Sequence, residues 1–316
     1  MDISIVIPLF NEAESLPELT SWISRVCREH NLNFEIILVD DGSVDNSWEV
    51  ISRLKKENQS IRGIKFRRNY GKSAALHTGF QAAQGNVVMT MDADLQDSPD
   101  EIPEFYHMIY EQGFDLVSGW KKKRRDPVFS KNLPSKFYNW WARRVTGIKL
   151  HDFNCGIKAY KKRVVKSIEI YGDMHRFIPV IAKWAGFSNI GEKVVNHQER
   201  KYGITKFGAE RFVRGPLDLL SVMFISKYGK RPLHLFGVLG TLTFILGFAM
   251  AAVVGANKLI ALKHHVVAPL VTRSPFFYIA LTCMIIGTQL FLAGFLGELV
   301  SRSSAERNHY LIEEEI

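Results

Sequence analysis

Cysteine is scarce in this chain: Cys27, Cys155 and Cys283 are odd in number and far apart in 316 residues. A disulfide framework is excluded on that count, and a reducing compartment fits better. No Cys/His spacing of the zinc type occurs. Glycine-rich phosphate loops are missing as well. There is neither a Gly-x-x-x-x-Gly-Lys-Ser/Thr run nor a Gly-x-Gly-x-x-Gly after the first apolar run, so P-loop and dinucleotide-binding readings lose their main support. Met1-Asp2 leads straight into a strand-like run, without a basic segment and apolar core, and no signal peptide is expected.

What is present is unevenly distributed. Lys121 to Lys166 holds 15 Lys/Arg against two acids, Asp126 and Asp152, whereas the whole chain carries a formal charge of +9. The rest is therefore slightly acidic, and the basic block is a candidate contact for nucleic acid, anionic lipid or a phosphorylated substrate. Leu233 to Ala256 and Phe276 to Gly297 contain no Lys or Arg and, until Glu298, no acid. Each is long enough to cross about 30 Å of hydrocarbon as a helix, and buried core helices rarely run so long without a charge. Two spans place both chain ends on one side of a membrane. Basic residues flank the spans and also lie between them (Lys258, Lys263, Arg273), so the positive-inside bias is modest. The missing export signal is the firmer reason to expect the large domain in the cytosol. Residues 129–145 mix Phe137, Tyr138, Trp140 and Trp141 with lysines and arginines, which predicts an interfacial helix; 211–231 reads as a juxtamembrane amphipathic helix or as one packed on its own domain.

The first half alternates buried strands with helices. Apolar runs at Ile3–Leu9, Phe34–Val39, Gly63–Phe66, Asn86–Met91 and Leu116–Ser118 predict strands. Helices are predicted from a capping box at Ser15-Leu16-Pro17-Glu18 to about His30, after Ser43 to about Glu57, and over Lys72–Ala83. This pattern implies an α/β, Rossmann-like, mostly parallel sheet with helices on both faces. Ligands of such sheets sit beyond the carboxyl ends of the strands. Those ends hold Glu12, Asp40, Asp41, Asp92 and Asp94. Gathered carboxylates repel one another unless a cation or hydrogen-bond donors meet them. Asp92-Ala93-Asp94-Leu95-Gln96 offers two carboxylates and an amide oxygen at alternate positions, a donor set for Mg²⁺ or Mn²⁺ that leaves room for substrate phosphates. An isolated Asp-x-Asp is as often a turn or a helix cap. At the end of an apolar strand it points to a metal.

The motifs IPLFNE at 7–12, VDDGS at 39–43, NYGKSAAL at 69–76 and MDADLQDSP at 91–99 resemble those of family 2 glycosyltransferases. The resemblance is nearest to the polyprenyl-phosphate hexosyltransferase and dolichol-phosphate mannose synthase branch. It continues through SGWKKKRRDP at 118–127, DFNCGIKAY at 152–160, MHRFIPVIA at 174–182 and ERKYGITKFG at 199–208, and so covers roughly residues 1–230. The resemblance implies a GT-A-like catalytic domain over 1–210, a two-helix membrane hairpin over 232–300 and a cytosolic tail over 301–316. It implies Pro8, Phe10 and Glu12 at the nucleotide, Asp40 or Asp41 reading the base, and Lys72 nearby. Asp92, Asp94 and Gln96 would hold the metal and diphosphate, with Asp94 and Asp152 at the chemistry. Arg176, Arg200 and Lys206 would meet the donor diphosphate or the acceptor phosphate. The basic segment, through Lys121, Lys123, Arg124 and Arg143, would meet the acceptor. Two positions depart from the family pattern: Phe10 stands where Tyr is frequent, and Thr205 where Ser is common.

The expected reaction is inverting transfer of a hexose from a nucleotide-sugar to polyprenyl (undecaprenyl) phosphate, for cell-envelope glycan or glycolipid modification. UDP-glucose is the first donor, with GDP-mannose or a UDP-modified arabinose as alternatives. The expected place is a bacterial inner membrane, crossed by more than one span and shared with a possible homo-oligomeric partner. A nucleic-acid-binding protein would leave the acid-rich strand ends unexplained, and a membrane-tethered scaffold would leave Asp92, Asp94 and Gln96 intact for no reason. A processive polysaccharide synthase is the closest enzymatic competitor, but the chain has no Gln-x-x-Arg-Trp.

Overall fold

A computed structural model describes residues 1–122, 143–144, 146–172, 174–196, 198, 201, 232–264, 270–303 and 312–315. Lys123, Arg124, Arg200, Lys206, the 211–231 helix and all of the 129–145 helix except residues 143 and 144 lie outside them. The chain divides into two compact units: Met1–Val222 with Arg307–Ile316, and Met223–Glu306.

The first unit is built on an eight-stranded sheet. Its elements are β1 (Ile3–Leu9), α1 (Leu16–Glu29), β2 (Phe34–Asp40), α2 (Ser47–Glu57), β3 (Ile61–Phe66), α3 (Lys72–Ala82), β4 (Val87–Thr90), α4 (Ile102–Tyr110), β5 (Leu116–Trp120), β6 (Lys158–Lys161), α5 (Lys162–Ser167), α6 (Ile178–Trp184), β7 (Ile190–Val194) and β8 (Ile312–Glu315). β1 and β2 are buried almost throughout rather than alternately, because helices cover the sheet on both faces. α1 buries Leu16, Leu19, Ile23, Val26 and Cys27 at helical spacing against this core. The capping box expected at its start does not form. Ser15 is itself helical, its hydroxyl donates to the Glu12 carbonyl at 3.0 Å, and Glu18 pairs with Lys201 at 2.7 Å instead.

The strand order is β7-β5-β6-β4-β1-β2-β3-β8. The β1–β2, β2–β3, β1–β4 and β5–β7 pairings are parallel; β6 runs antiparallel between β4 and β5. From β1 the chain winds outward through β2 and β3, then returns to place β4 on the other side of β1. The carboxyl ends of β1 and β4 therefore flank the switch point where doubly wound sheets bind ligands. β6, β7 and β8 had no counterpart among the sequence expectations. β8 pairs antiparallel with the edge strand β3, with Ile312 beside Phe66 and Glu315 beside Ile64. Arg62 on β3 bridges Glu315 at 2.9 Å and the buried Glu35 at 3.1 Å.

The second unit contains two long helices, α7 (Pro232–Lys263) and α8 (Pro275–Ser303). Both are long and apolar enough to cross a membrane. The first runs past the expected end at Ala256, because Lys258-Leu-Ile-Ala-Leu-Lys favours continued helix. Leu242, Phe248, Val253, Phe276 and Leu296 are exposed, an arrangement suited to hydrocarbon rather than water. Where the helices meet, glycine replaces bulk. A Cβ on Gly240 would stand 2.5 Å from the Gly287 carbonyl oxygen, and a Cβ on Gly287 would stand 2.6 Å from that of Gly240. Backbone-to-backbone approach through small residues is how membrane helices gain packing. Gly287→Val should force the helices apart and cost on the order of 1–3 kcal/mol. Thermal unfolding in detergent checks this, and an unchanged midpoint would contradict the glycine seam.

Candidate active site

At the switch point the loops after β1 and β2 are tied together by hydrogen bonds from backbone N–H groups to side-chain oxygens. The Asn11 N–H donates to Ser43 Oγ at 2.9 Å and the Glu12 N–H to Ser47 Oγ at 3.1 Å. In return the Val44 N–H donates to Asn11 Oδ1 at 2.9 Å. Asn11 achieves this in the left-handed region, at φ 55°. Pro8, Phe10 and Glu12 are half-buried along this crevice.

The two acids after β2 do different things. Asp41 accepts the Tyr70 N–H at 2.7 Å and the Gly71 N–H at 2.9 Å, one on each oxygen. Burial outweighs these bonds and pushes its carboxyl up to about 6. Its structural task is thus to hold the loop that presents Lys72. Asp40 accepts the Ser43 N–H at 2.9 Å on Oδ1, while Oδ2 is buried without a hydrogen-bond partner. Of the pair named in the sequence, Asp40 therefore keeps the spare acceptor.

Lys72 opens α3 and places its ammonium directly on Asp92 Oδ1. Burial alone would raise the Asp92 carboxyl, but Lys72, supported by Lys121 and Lys158, holds it down at about 2. Asp94 is buried, and its Oδ1 accepts the Gln96 N–H at 3.2 Å. Between them Leu95 sits at φ 59°, a left-handed conformation that costs an L-residue about 1–2 kcal/mol. Strain of this kind persists where surrounding contacts impose it, and it concentrates at functional turns. The Gln96 carbonyl accepts the Gln198 N–H at 2.9 Å, tying the turn to the chain just before Arg200. Gly156 packs against the Asp92 carboxylate so closely that a Cβ would collide with it.

Sequence reasoning missed three groups here. Lys158 on β6 is buried, donates to the Cys155 carbonyl, and is close enough to Asp92 and Asp152 to feel both charges. Burial lowers its pKa, with Lys72 adding to the effect. Its signal was a lysine inside the apolar run IKAY. His175 is joined to the start of α3 through Ser73 Oγ, at 3.0 Å from its N–H and 3.1 Å from Nδ1. Burial, then the charges of Lys72 and Arg176, hold its imidazole well below the usual range, so it is neutral. Arg176 follows His175 directly in the chain, close enough for its charge to act on the imidazole. Asp97 is fully buried, and Lys121 meets it at 2.8 Å. Lys121, expected from its basic loop to face an acceptor, pairs with the last acid of the acidic turn. Asp152 is also buried: its Oδ1 accepts the Asn154 N–H at 3.0 Å, and its own N–H donates to Glu192 Oε1 at 3.1 Å. Arg143 is half-buried in a short helical turn and gives its carbonyl to the Gly147 N–H at 2.9 Å.

Among the described residues no three His, Cys, Asp or Glu side chains form a ready-made metal cage. The donor chemistry nevertheless fits a hard cation: two carboxylates, one amide oxygen, and an ammonium already compensating Asp92.

The model of the Glycosyl transferase family 2 domain matches residues 4–169. The chain belongs to that family and is a glycosyltransferase. It is 34% identical over 308 residues to dodecaprenyl-phosphate galacturonate synthase of Rhizobium johnstonii, covering 96% of this chain and 88% of that protein. It is also 34% identical over 315 residues to undecaprenyl-phosphate 4-deoxy-4-formamido-L-arabinose transferase of Pseudomonas savastanoi pv. phaseolicola, covering 98% and 90%. Among solved structures it resembles glucosyl-3-phosphoglycerate synthase of Mycobacterium tuberculosis, crystallised with Mn²⁺, UDP and glucosyl-3-phosphoglycerate. The TM-score is 0.54 at 16% identity, over 71% of this chain and 79% of that one. The fold is thus GT-A-like.

In this glycosyltransferase the contact of Gly156 with Asp92 makes a sharp test. Gly156→Ala should displace the Asp92 carboxylate with the fold retained; if that acid serves a metal-bound nucleotide, binding of UDP in the presence of Mn²⁺ should weaken by about an order of magnitude. Calorimetric titration with circular dichroism checks this; undiminished binding would mean that Asp92 does not serve the nucleotide.

Proposed function

We propose that the enzyme transfers a sugar from a nucleoside diphosphate donor to a polyprenyl phosphate at a membrane surface, with inversion at the anomeric carbon. The observation that carries this reading is the joining, in one chain, of the Asp92–Lys72 crevice at the sheet switch point to two helices suited to a bilayer. The two relatives named above support the acceptor class, since both names specify a polyprenyl phosphate. Those names carry a uronate and a formamido-pentose, so a donor panel has to reach beyond UDP-glucose, our first candidate.

Mg²⁺ or Mn²⁺ at Asp92, Asp94 and Gln96 would neutralise the leaving diphosphate. The chain's own residues do the rest. Asp40 has an acceptor oxygen spare for a base N–H, and Asp41 holds the Tyr70–Gly71 loop so that Lys72 reaches the crevice. The acceptor needs no strong base, because a phosphate monoester with a second pKa near about 6 is already largely ionised at neutral pH. The problem is instead to hold two anionic groups together, and Lys72, Lys121, Lys158 and Arg176 supply charge for that. Neutral His175 positions Arg176 and the start of α3 rather than adding charge. Asp152, buried and hydrogen-bonded, orients a sugar hydroxyl or the acceptor.

Membrane placement follows the same logic. β8 follows the two apolar helices yet lies in the sheet whose other strands precede them, so the intervening chain crosses an even number of times. Tail and catalytic unit share one face, which we assign to the cytosol; a second copy of the chain may be tested there by cross-linking. Protein in detergent with Mg²⁺ or Mn²⁺, undecaprenyl phosphate and labelled UDP-glucose, UDP-galacturonate, a UDP-formamido-arabinose or GDP-mannose should yield labelled lipid. Asp94→Ala should abolish the product, and Lys72→Met should lower the rate by about 10²-fold. No labelled lipid from any donor, or full activity in Asp94→Ala, would overturn the proposal.

A further inference from the structure

Asp97 ends the acidic turn and has no role in the reading above. It is a carboxylate with 1% exposure, three residues beyond Asp94. A buried charge left alone costs several kcal/mol, so a partner is required. That partner is Lys121, whose Nζ stands 2.8 Å from Oδ1 and whose side chain is 13% exposed. The contact joins a buried carboxylate to a largely buried ammonium at hydrogen-bonding distance. Lys121 lies just past β5, at the point where the basic segment begins.

The ammonium also feels the charge of Asp92. Burial works against the charged form of Lys121, but the Asp97 carboxylate, with Asp92 adding to it, outweighs burial and raises its pKa. Asp92 in turn feels Lys121 after Lys72. The cation thus sits against the last acid of the turn that carries Asp92 and Asp94. A lysine stem loses about 2 kcal/mol of rotamer entropy when it is fixed. Here that ordering is done before any phosphate arrives, which is the preorganisation that electrostatic catalysis needs.

We propose that Asp97 is a positioning residue that fixes the Lys121 ammonium at the edge of the Asp92–Asp94 site, where it meets the phosphates brought together during transfer. The proposal rests on the transferase reading and adds a residue to it. Asp97 touches no substrate and acts through Lys121. Removing a purely structural ion pair would lower stability without a selective effect on turnover.

The test uses the full-length enzyme in detergent and the variants Asp97→Asn, Asp97→Glu, Lys121→Met and Asp97→Asn/Lys121→Met. Steady-state kcat and KM are measured for donor and lipid, with UDP–Mn²⁺ affinity and melting temperature measured in parallel. Asp97→Asn and Lys121→Met should each lower kcat by about 10²-fold, the loss expected from misplacing a reacting-site group. UDP–Mn²⁺ affinity should stay within a few-fold of wild type. The double variant should be no slower than the worse single one, and Asp97→Glu should recover part of the rate. Because the double variant leaves no unpaired buried charge, it remains informative if a single variant fails to fold. Wild-type kcat in Asp97→Asn, or losses that multiply in the double variant, overturns the proposal while the transferase reading stands. A wild-type enzyme that labels no lipid overturns both.

Discussion

Acids that converge on one edge of a sheet must be met by cations. At the carboxyl edge of this sheet stand Asp40, Asp41, Asp92, Asp94 and Asp97; four are buried and Asp92 is half-buried. The pairing of Lys72 with Asp92 is the contact on which the arrangement turns. It fixes the start of α3, which through Ser73 fixes His175 and Arg176. It also requires Asp41 to shape the preceding loop and Gly156 to leave room for the carboxylate. Lys121 and Lys158 reach the same acids from β5 and β6. The lysines that meet these carboxylates are thus the ones the proposed function assigns to phosphate.

Much of the frame was readable because parallel strands buried on both faces are continuous apolar runs. β1 and β2 fall within a residue of expectation, and the acids just past β2 and β4 stand where the rule for doubly wound sheets places ligands. The two apolar helices were equally legible, since length and absence of charge are properties of sequence alone. β6 and β8 were not. Each has four residues, too few to show a period, and each owes its place to pairing with distant chain: β6 with β4 and β5, β8 with β3. Missing β6 also hid Lys158.

At the site, residue type was legible and allegiance was not. Asp40 and Asp41 are equivalent in sequence; only the positions of the Tyr70 and Gly71 N–H groups separate the loop-holding acid from the one with a spare oxygen. Lys121 read as one of a basic run facing the acceptor, and Asp97 was given no role, because nothing local reveals that they meet 2.8 Å apart. Leu95 gave no warning either, since a left-handed leucine is imposed by tertiary contacts rather than preferred. These are the places where local rules yield to function.

The account's central claim is the proposed one, that Asp92 and Asp94 would together hold the metal that meets the donor diphosphate. Anomalous diffraction from the protein crystallised with Mn²⁺ and UDP tests it most directly. The account predicts a manganese peak bound by carboxylate oxygens of both Asp92 and Asp94. A peak elsewhere, or UDP bound with no metal at these acids, would contradict it.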